Sequence, residues 1–380
     1  MQDPKTWRFS LVLGGGGMRG LAHVGAMRAL IERGWIPSEI IGTSIGSLIA
    51  ATWAVGFTLA EMEQFCLGLT RRDIFQIAHA DMAFKRMRSP ALYKSEPLDH
   101  VIRGFVGDAT FADLTRGLIV NSVDINSGAQ VYWGLPGLTN VPVADAVFAS
   151  CALPGFFPPR EIDGRWFVDG ALVDNLPVRL AAARGVDAVV AIDVGATSVL
   201  RAEMQEKGFA AMSARASEIV FQQTMEWHLG TWTAPPLLLV QPRVEHVPMF
   251  SFAHAQTLID EGFRATTAAL DQAGAAVKLS TGGIYPRRPV EVRVIRDRCI
   301  GCGACAAIEP QLFHMDAAGK AVGPAEPYEW SPIDGGFIRH CPTYAITARP
   351  VHPAAAPAAA PPAAGASRGG ASTDTAPAPT

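Results

Sequence analysis

The sequence predicts an α/β protein: a mostly parallel sheet sandwiched by helices, followed by a small α+β unit at the C-terminal side. Three observations carry this. Residues 8–280 alternate short aliphatic runs with helix-like stretches. The first such run enters a glycine cluster and leaves as a helical pattern, "LVLGGGGMRGLAHVGAMRAL" at 11–30. Four of the six cysteines crowd into 299–341, where the rhythm changes.

Each element has its own signal. "FSLVLG", "GLIVNSVDI", "DAVVAIDVG" and "PPLLLVQP" are aliphatic or β-branched runs bounded by turn residues, the pattern of buried strands. Helical spacing covers 19–33, 46–56, 58–69, 178–184 and a long stretch from about 203 to 229. "DQAGAAVKLSTGGIYPRRP" closes this first unit, expected over 1–285. A second unit, 290–349, opens with "VEVRVI" and ends in "AITARP". The tract 350–380 is rich in Ala, Pro, Gly and Ser; it cannot bury enough apolar surface to offset its ordering entropy and is expected to be disordered.

Composition narrows the function. Hydrophobic residues make up 49% of 380, enough for a large core, and the net charge of −3 gives no electrostatic case for nucleic acid. No secretion signal and no apolar run of membrane-spanning length is seen, so a cytoplasmic location is expected, with peripheral contact at the inner membrane left open. The segment "MAFKRMRSPALYK", 82–94, mixes apolar and cationic residues; a lid meeting anionic headgroups and a solvated loop both fit it.

Gly15, Gly17 and Gly20 fit G-x-G-x-x-G, which raises a dinucleotide site. Such a site also needs an acidic residue after the second strand. Glu32 falls within the helix and Glu39 precedes the next strand, so the fingerprint is incomplete. "EIIGTSIGSLIAA", 39–51, decides more. It places G-x-S-x-G after an apolar strand and at a helix start. Gly42 and Gly46 allow a sharp turn with close packing, which lifts Ser44 clear of the strand and sets it at a helix N-terminus. A serine attacking an ester creates an oxyanion, and a glycine-rich turn supplies bare backbone donors for one. Arg19 either shapes that loop or is a plain surface arginine. Asp169 ends a strand before Gly170 in "GRWFVDGALVDNLPV", which would hold a carboxylate at the sheet's edge; a plain turn aspartate also fits it.

Gly-Gly-Gly-Met-Arg-Gly at 15–20, Gly-Thr-Ser-Ile-Gly at 42–46 and Asp-Gly-Ala at 169–171 together resemble the marks of patatin-like phospholipases. "SCALPGFFPP", "DNLP" and "FSFAHAQTLIDEGFRAT" resemble that family too, so the likeness runs over about 8–275. The resemblance implies Ser44 as nucleophile and Asp169 as general base of a Ser–Asp dyad. It implies an oxyanion hole from Gly15, Gly16 and Gly17, with Arg19, Gly20, Gly42, Gly46 and Gly170 supporting the motifs. The implied activity is hydrolysis of lipid acyl esters through an acyl-enzyme. A triad using His246 or His254 is the alternative mechanism, while His23 fits a packed helix residue.

Cys66 and Cys151 stand alone and fit small buried hydrophobes. Cys299, Cys302 and Cys305 form C-x2-C-x2-C, and Cys341 follows in a Cys-Pro pair. Tandem x2 gaps with Cys-Pro favour iron–sulfur over zinc. Residues 290–349 resemble single-cluster bacterial ferredoxins, which implies a [4Fe–4S] cluster on all four and a redox partner protein. With seven acidic and six basic residues, this unit lacks the acidity common in ferredoxins. Its expected roles are electron delivery, redox gating of the hydrolase, or structural support. Two other functions compete: an electron-transfer protein whose hydrolase-like domain mainly binds acyl lipid, and a nicotinamide oxidoreductase.

Overall fold

The structure is a computed structural model that describes residues 7–77, 91–195, 208–279 and 282–351. Nine strands form the main sheet: β1 (Phe9–Leu13), β2 (Glu39–Thr43), β3 (Gly117–Asp124), β4 (Gln130–Trp133), β5 (Arg160–Ile162), β6 (Arg165–Asp169), β7 (Ala188–Ile192), β8 (Leu237–Val240) and β9 (Ile284–Tyr285). Their order is β5-β6-β3-β2-β1-β7-β8-β9, with β4 also on β3. The pairs from β3 through β9 are parallel; β4, β5 and β6 add antiparallel hairpins at one side.

Alternation along β1 explains the layering. Phe9, Leu11 and Leu13 join the larger core, whereas Val12 joins Ile41, Ile119, Val189 and Leu237 on the opposite face. The helices are α1 (Ala22–Glu32), α2 (Ile45–Ala54), α3 (Leu59–Gly68), α4 (Arg71–Ile74), α5 (Ser95–Val106), α6 (Val143–Cys151), α7 (Val178–Ala183), α8 (Gly208–Gly230) and α9 (Ala255–Leu279). Helices α1 and α9 touch at their glycines. A Cβ at Gly25 would lie 1.8 Å from the Ile259 carbonyl oxygen, and one at Gly262 would lie 1.9 Å from that of Ala22. All four strand runs of the first unit form, as do helices within 19–33, 46–56, 58–69 and 178–184; of the stretch from about 203 to 229, residues 203–207 lie outside the described residues and the rest is helical from Gly208. Glycine 17 starts a 3-10 turn, Gly17–Leu21, that precedes α1.

The second unit has its own small core. Strands β10 (Arg288–Val294), β13 (Tyr328–Trp330) and β14 (Ile346–Pro350) make an antiparallel sheet of order β13-β10-β14. Strands β11 (His314–Met315) and β12 (Ala321–Val322) form a hairpin within "LFHMDAAGKAVG", and α10 (Ala304–Ile308) and α11 (Gly336–His340) complete the unit. Phe313, Trp330 and Phe337 stack edgewise among Val290, Val292 and Ile346. Of "SPIDGGFIRH", 331–340, only Gly336–His340 is helical. The expected tail lies outside the described residues beyond Val351, as does 82–90 of the cationic segment. Residues 91–94 are tied down, with Leu92 and Tyr93 N–H groups donating to Gly155 and Phe156 carbonyls, and Tyr93 is buried.

Candidate active site

Adjacent parallel strands place the two glycine motifs side by side. Leu13 of β1 pairs with Gly42 of β2, so the loop leaving β1 and the turn leaving β2 emerge at the same sheet edge. Ser44 occupies that turn with φ 53° and ψ −128°, a left-handed backbone rare for a side-chain-bearing residue. The turn is held by named contacts. Ser44 N–H donates to Ser150 Oγ at 2.9 Å, and the Ser44 carbonyl receives Ser47 Oγ at 2.6 Å. Gly46 is required by close approach: a Cβ there would meet the Leu13 carbonyl oxygen at 2.2 Å, and one at Gly42 would meet Ser47 Cα at 2.4 Å.

Asp169 arrives from the antiparallel side. It ends β6 opposite Ser122 of β3, and Gly170 begins a 3-10 turn packed against Asn121. Its carboxyl accepts the Ala171 N–H at 2.9 Å, and it lines the same cleft as Ser44. Burial pushes its pKa from 3.8 up to about 7, against the opposing pull of the Ala171 N–H. A carboxyl held near neutrality in the same cleft as a serine hydroxyl has the chemistry a proton acceptor needs.

The glycine loop is fixed residue by residue. Gly14 N–H donates to the Ile192 carbonyl at 3.1 Å, and His23 Nε2 lies 2.8 Å from the Gly14 carbonyl. Burial lowers His23 to about 4, so it is neutral and donates. Gly15 N–H goes to Asn175 Oδ1 at 3.0 Å, so of the three glycines expected to bind an oxyanion, this one is already engaged. Gly16 and Gly17 N–H groups have no partner among the described residues. Met18 N–H donates to the Met249 carbonyl at 2.7 Å. Gly20 packs under the elbow, where a Cβ would sit 2.2 Å from Ile45.

Arg19 is no surface residue. It is fully buried, with Nε donating to the Val247 carbonyl at 2.7 Å and a guanidinium nitrogen 3.2 Å from Glu218 of α8. It braces the loop; the cost of burying its charge is met by a paired carboxylate and a carbonyl.

These groups line the end of one cleft. Its walls are Met18, Leu48, Ile74, Phe75, Leu98, Leu153, Phe157, Phe221, Met249 and Phe250, nearly all apolar. Phe75 is the hub of the aromatic wall, 4.9 Å from Tyr93, 5.6 Å from Phe157 and 5.2 Å from Phe250 between ring centres. A long acyl chain suits such a lining. Cys151 is more than packing: it lines the cleft beside Asp169, and burial drives its thiol pKa upward, so it stays protonated. Cys66 is buried as expected. His246 and His254 are exposed and outside the cleft lining. Glu39 lies at the start of β2, the opposite end from the glycine loop, and engages Ser10 and Arg184. That removes it from any ribose site beside the loop.

Residue reasoning alone passed over Asn175, Asn121 and Ser150. Asn121 Nδ2 donates to the Asp174 carbonyl at 2.7 Å, tying β3 to the Asn175 turn. The sequence signal for Asn175 lay in "DNLP" and that for Ser150 in "SCALPGFFPP"; Asn121 sits within the strand run "GLIVNSVDI".

In the second unit, Cys299, Cys302, Cys305 and Cys341 all face one small cavity. Gly301 and Gly303 between them take φ 73° and 74°, the left-handed turns that bring the thiols round. Ala321 N–H points to Cys299 Sγ at 3.5 Å and Ala345 N–H to Cys341 Sγ at 3.2 Å, bonds that favour thiolates. Burial raises the Cys341 thiol pKa, but the amides of Ala345 and Thr343 outweigh it and the net shift is downward. Among the described residues no three His, Cys, Asp or Glu side chains converge on a single ion position. A cubane differs from one ion in taking its thiolates at separate iron corners.

Residues 11–182 match the family model described as patatin-like phospholipase. Over that span the chain is similar to this family. Residues 292–331 match a 4Fe-4S single cluster domain, a span that holds three of the four cysteines and stops before Cys341. An uncharacterized NTE family protein of Mycobacterium tuberculosis is 31% identical over 187 residues, 49% of either chain. The lysophospholipase NTE1 of Candida glabrata is 34% identical over 188 residues, 49% of this chain and 10% of that protein. The chain thus spans half or less of the curated relatives it matches. The crystal structure of VipD from Legionella pneumophila aligns over 70% of this chain and 67% of that one, at 15% identity and a TM-score of 0.39.

Proposed function

We propose that the patatin-like domain hydrolyses lipid acyl esters with a Ser44–Asp169 dyad, and that the C-terminal unit holds a [4Fe–4S] cluster. The carrying observation is that Ser44, on its left-handed turn, and a buried Asp169 carboxyl pushed up to about 7 meet at one apolar cleft. Asp169 takes the Ser44 proton as Oγ attacks the ester carbonyl. The tetrahedral oxyanion is received by the Gly16 and Gly17 N–H groups, with the α2 N-terminus adding positive potential. Asp169 returns the proton to the departing alcohol, leaving Ser44 acylated. It then deprotonates water, which releases the fatty acid and restores the hydroxyl. No imidazole enters this cycle.

The cluster would sit on Cys299, Cys302, Cys305 and Cys341, where it would supply one-electron storage. Lipid esters are the substrate class, on the strength of the lining and of a relative named as a lysophospholipase. No helix among the described residues is long and apolar enough to cross a membrane; peripheral contact is the form of membrane access this reading allows. The competing reading, a binding domain serving electron transfer, gives no reason for a serine on a left-handed turn and a raised-pKa carboxyl in one cleft.

A panel of acyl esters, run beside the visible absorbance of anaerobically purified protein, tests both parts. The expected result is hydrolysis of long-chain esters by protein with a brown cluster spectrum. Inactivity on every ester sinks the first part, and a colourless protein after iron and sulfide reconstitution sinks the second.

A further inference from the structure

We propose that Asn175 is a positioning residue for the Ser44 reaction: its side-chain amide orients the Gly15–Gly16 peptide and so aims the Gly16 N–H. This rests on the hydrolase reading above.

Asn175 grips one glycine twice. Its Oδ1 accepts the Gly15 N–H at 3.0 Å and its Nδ2 donates to the Gly15 carbonyl at 3.1 Å. The side chain is 2% exposed and lines the cleft, so water offers little competition. A trans peptide points its C=O and N–H in opposite directions. Pinning the Gly15 carbonyl toward Asn175 therefore turns the Gly16 N–H away from it, where that donor has no partner among the described residues. The preceding plane is set in the same manner. His23 holds the Gly14 carbonyl, and the Gly15 N–H of that plane points to Asn175. Two side chains thus fix two successive peptides of a stretch whose glycines have little intrinsic preference. Gly15 itself cannot take a side chain, since a Cβ would lie 2.5 Å from Asn175 Oδ1 and 3.0 Å from Ser44 Cβ. Asn175 is in turn tethered through its neighbour: Asn121 holds the Asp174 carbonyl at 2.7 Å, and His228 of α8 lies 3.3 Å from the Asp174 carboxyl.

The amide is chosen for having both an acceptor and a donor. A carboxylate at 175 keeps the acceptor for Gly15 N–H but repels the Gly15 carbonyl; alanine removes both bonds. A misaimed oxyanion donor should slow the chemical step while leaving acyl-chain binding in the cleft intact.

The test uses the full chain, Asn175→Ala and Asn175→Asp, with a p-nitrophenyl acyl ester, an alkyl trifluoromethyl ketone and the product fatty acid. For both variants kcat is expected to fall about 10²-fold with KM changed by less than about threefold. Inhibition by the ketone, whose hydrated or serine-bound oxyanion needs the same amide, should weaken in parallel. Inhibition by the fatty acid should hold. Asn175→Asp, nearly the same shape as the native residue, decides the matter if the alanine variant does not fold. Variants with wild-type kcat, or losses confined to KM, overturn the role of Asn175. A wild type inert toward both ester and ketone overturns the hydrolase reading beneath it.

Discussion

The two sites of this chain are built in opposite ways. Around Ser44, the reacting groups are positioned by the fold before any ligand arrives: Asp169 and Asn175 are each 2% exposed, and Arg19 is fully buried. Around the four cysteines, the walls are a small three-stranded sheet and two five-residue helices, and Cys302 is exposed. The first site stores its order in a nine-stranded sheet. The second rests on a much smaller core. Two sites of unequal support thus lie along one chain, and each should fail in its own manner.

The largest effects should come from the preorganised site. Ser44→Ala and Asp169→Asn should each lower kcat/KM by about 10³-fold or more with the cluster spectrum unaltered, since the dyad acts as a unit. Rates on a panel of acyl esters read this directly.

Next in size is loss of the second unit. Cys341→Ser should abolish the stable cluster and melt protection across 290–350 in hydrogen exchange, while ester hydrolysis stays within about threefold. A matching collapse of hydrolysis would break the comparison and put the two units under common control.

The third effect is pH dependence, which in the rate is expected to follow Asp169. The dyad works with the carboxylate, so kcat/KM should rise about tenfold per unit below pH 7 and level off above it. The same shift has a cost in stability. The folded carboxyl binds its proton more tightly than the unfolded one, so its stabilisation is complete below about 3.8. It is lost as pH climbs through about 7. Asp169→Asn should therefore raise Tm by a few degrees at pH 8 and by little at pH 4, seen by calorimetry. His23 works in the other direction. Its lowered pKa means stability is lost as pH falls from 6.5 toward 4.

The smallest effect lies at the seam. Arg339, two residues before Cys341, pairs with Glu226 of α8, and Ile333 packs against the Met225 and Leu229 cluster. Arg339→Ala should lower stability by no more than ~1 kcal/mol, as a partly exposed pair does.

What was legible in the sequence follows the same division. The elbow could be read because a sharp strand-to-helix turn demands small residues at fixed offsets, and Gly42 and Gly46 meet that demand locally. The cysteine spacing was legible because the turns between thiols are short. Arg19, Asn175 and Ser150 were not, because their roles come from partners far along the chain: Arg19 meets Val247 and Glu218, and Asn175 meets Gly15 across 160 residues. The same distance hid the fact that Gly15 spends its N–H on Asn175. Nothing local distinguishes a buried bracing arginine from a solvated one.

The most direct measurement is mass-spectrometric mapping of a fluorophosphonate adduct in the wild type, Asp169→Asn, His246→Ala and His254→Ala. The account predicts an adduct on Ser44 in the wild type and both histidine variants, and its loss in Asp169→Asn. An adduct on another residue, undiminished labelling without Asp169, or labelling that needs either histidine would contradict it.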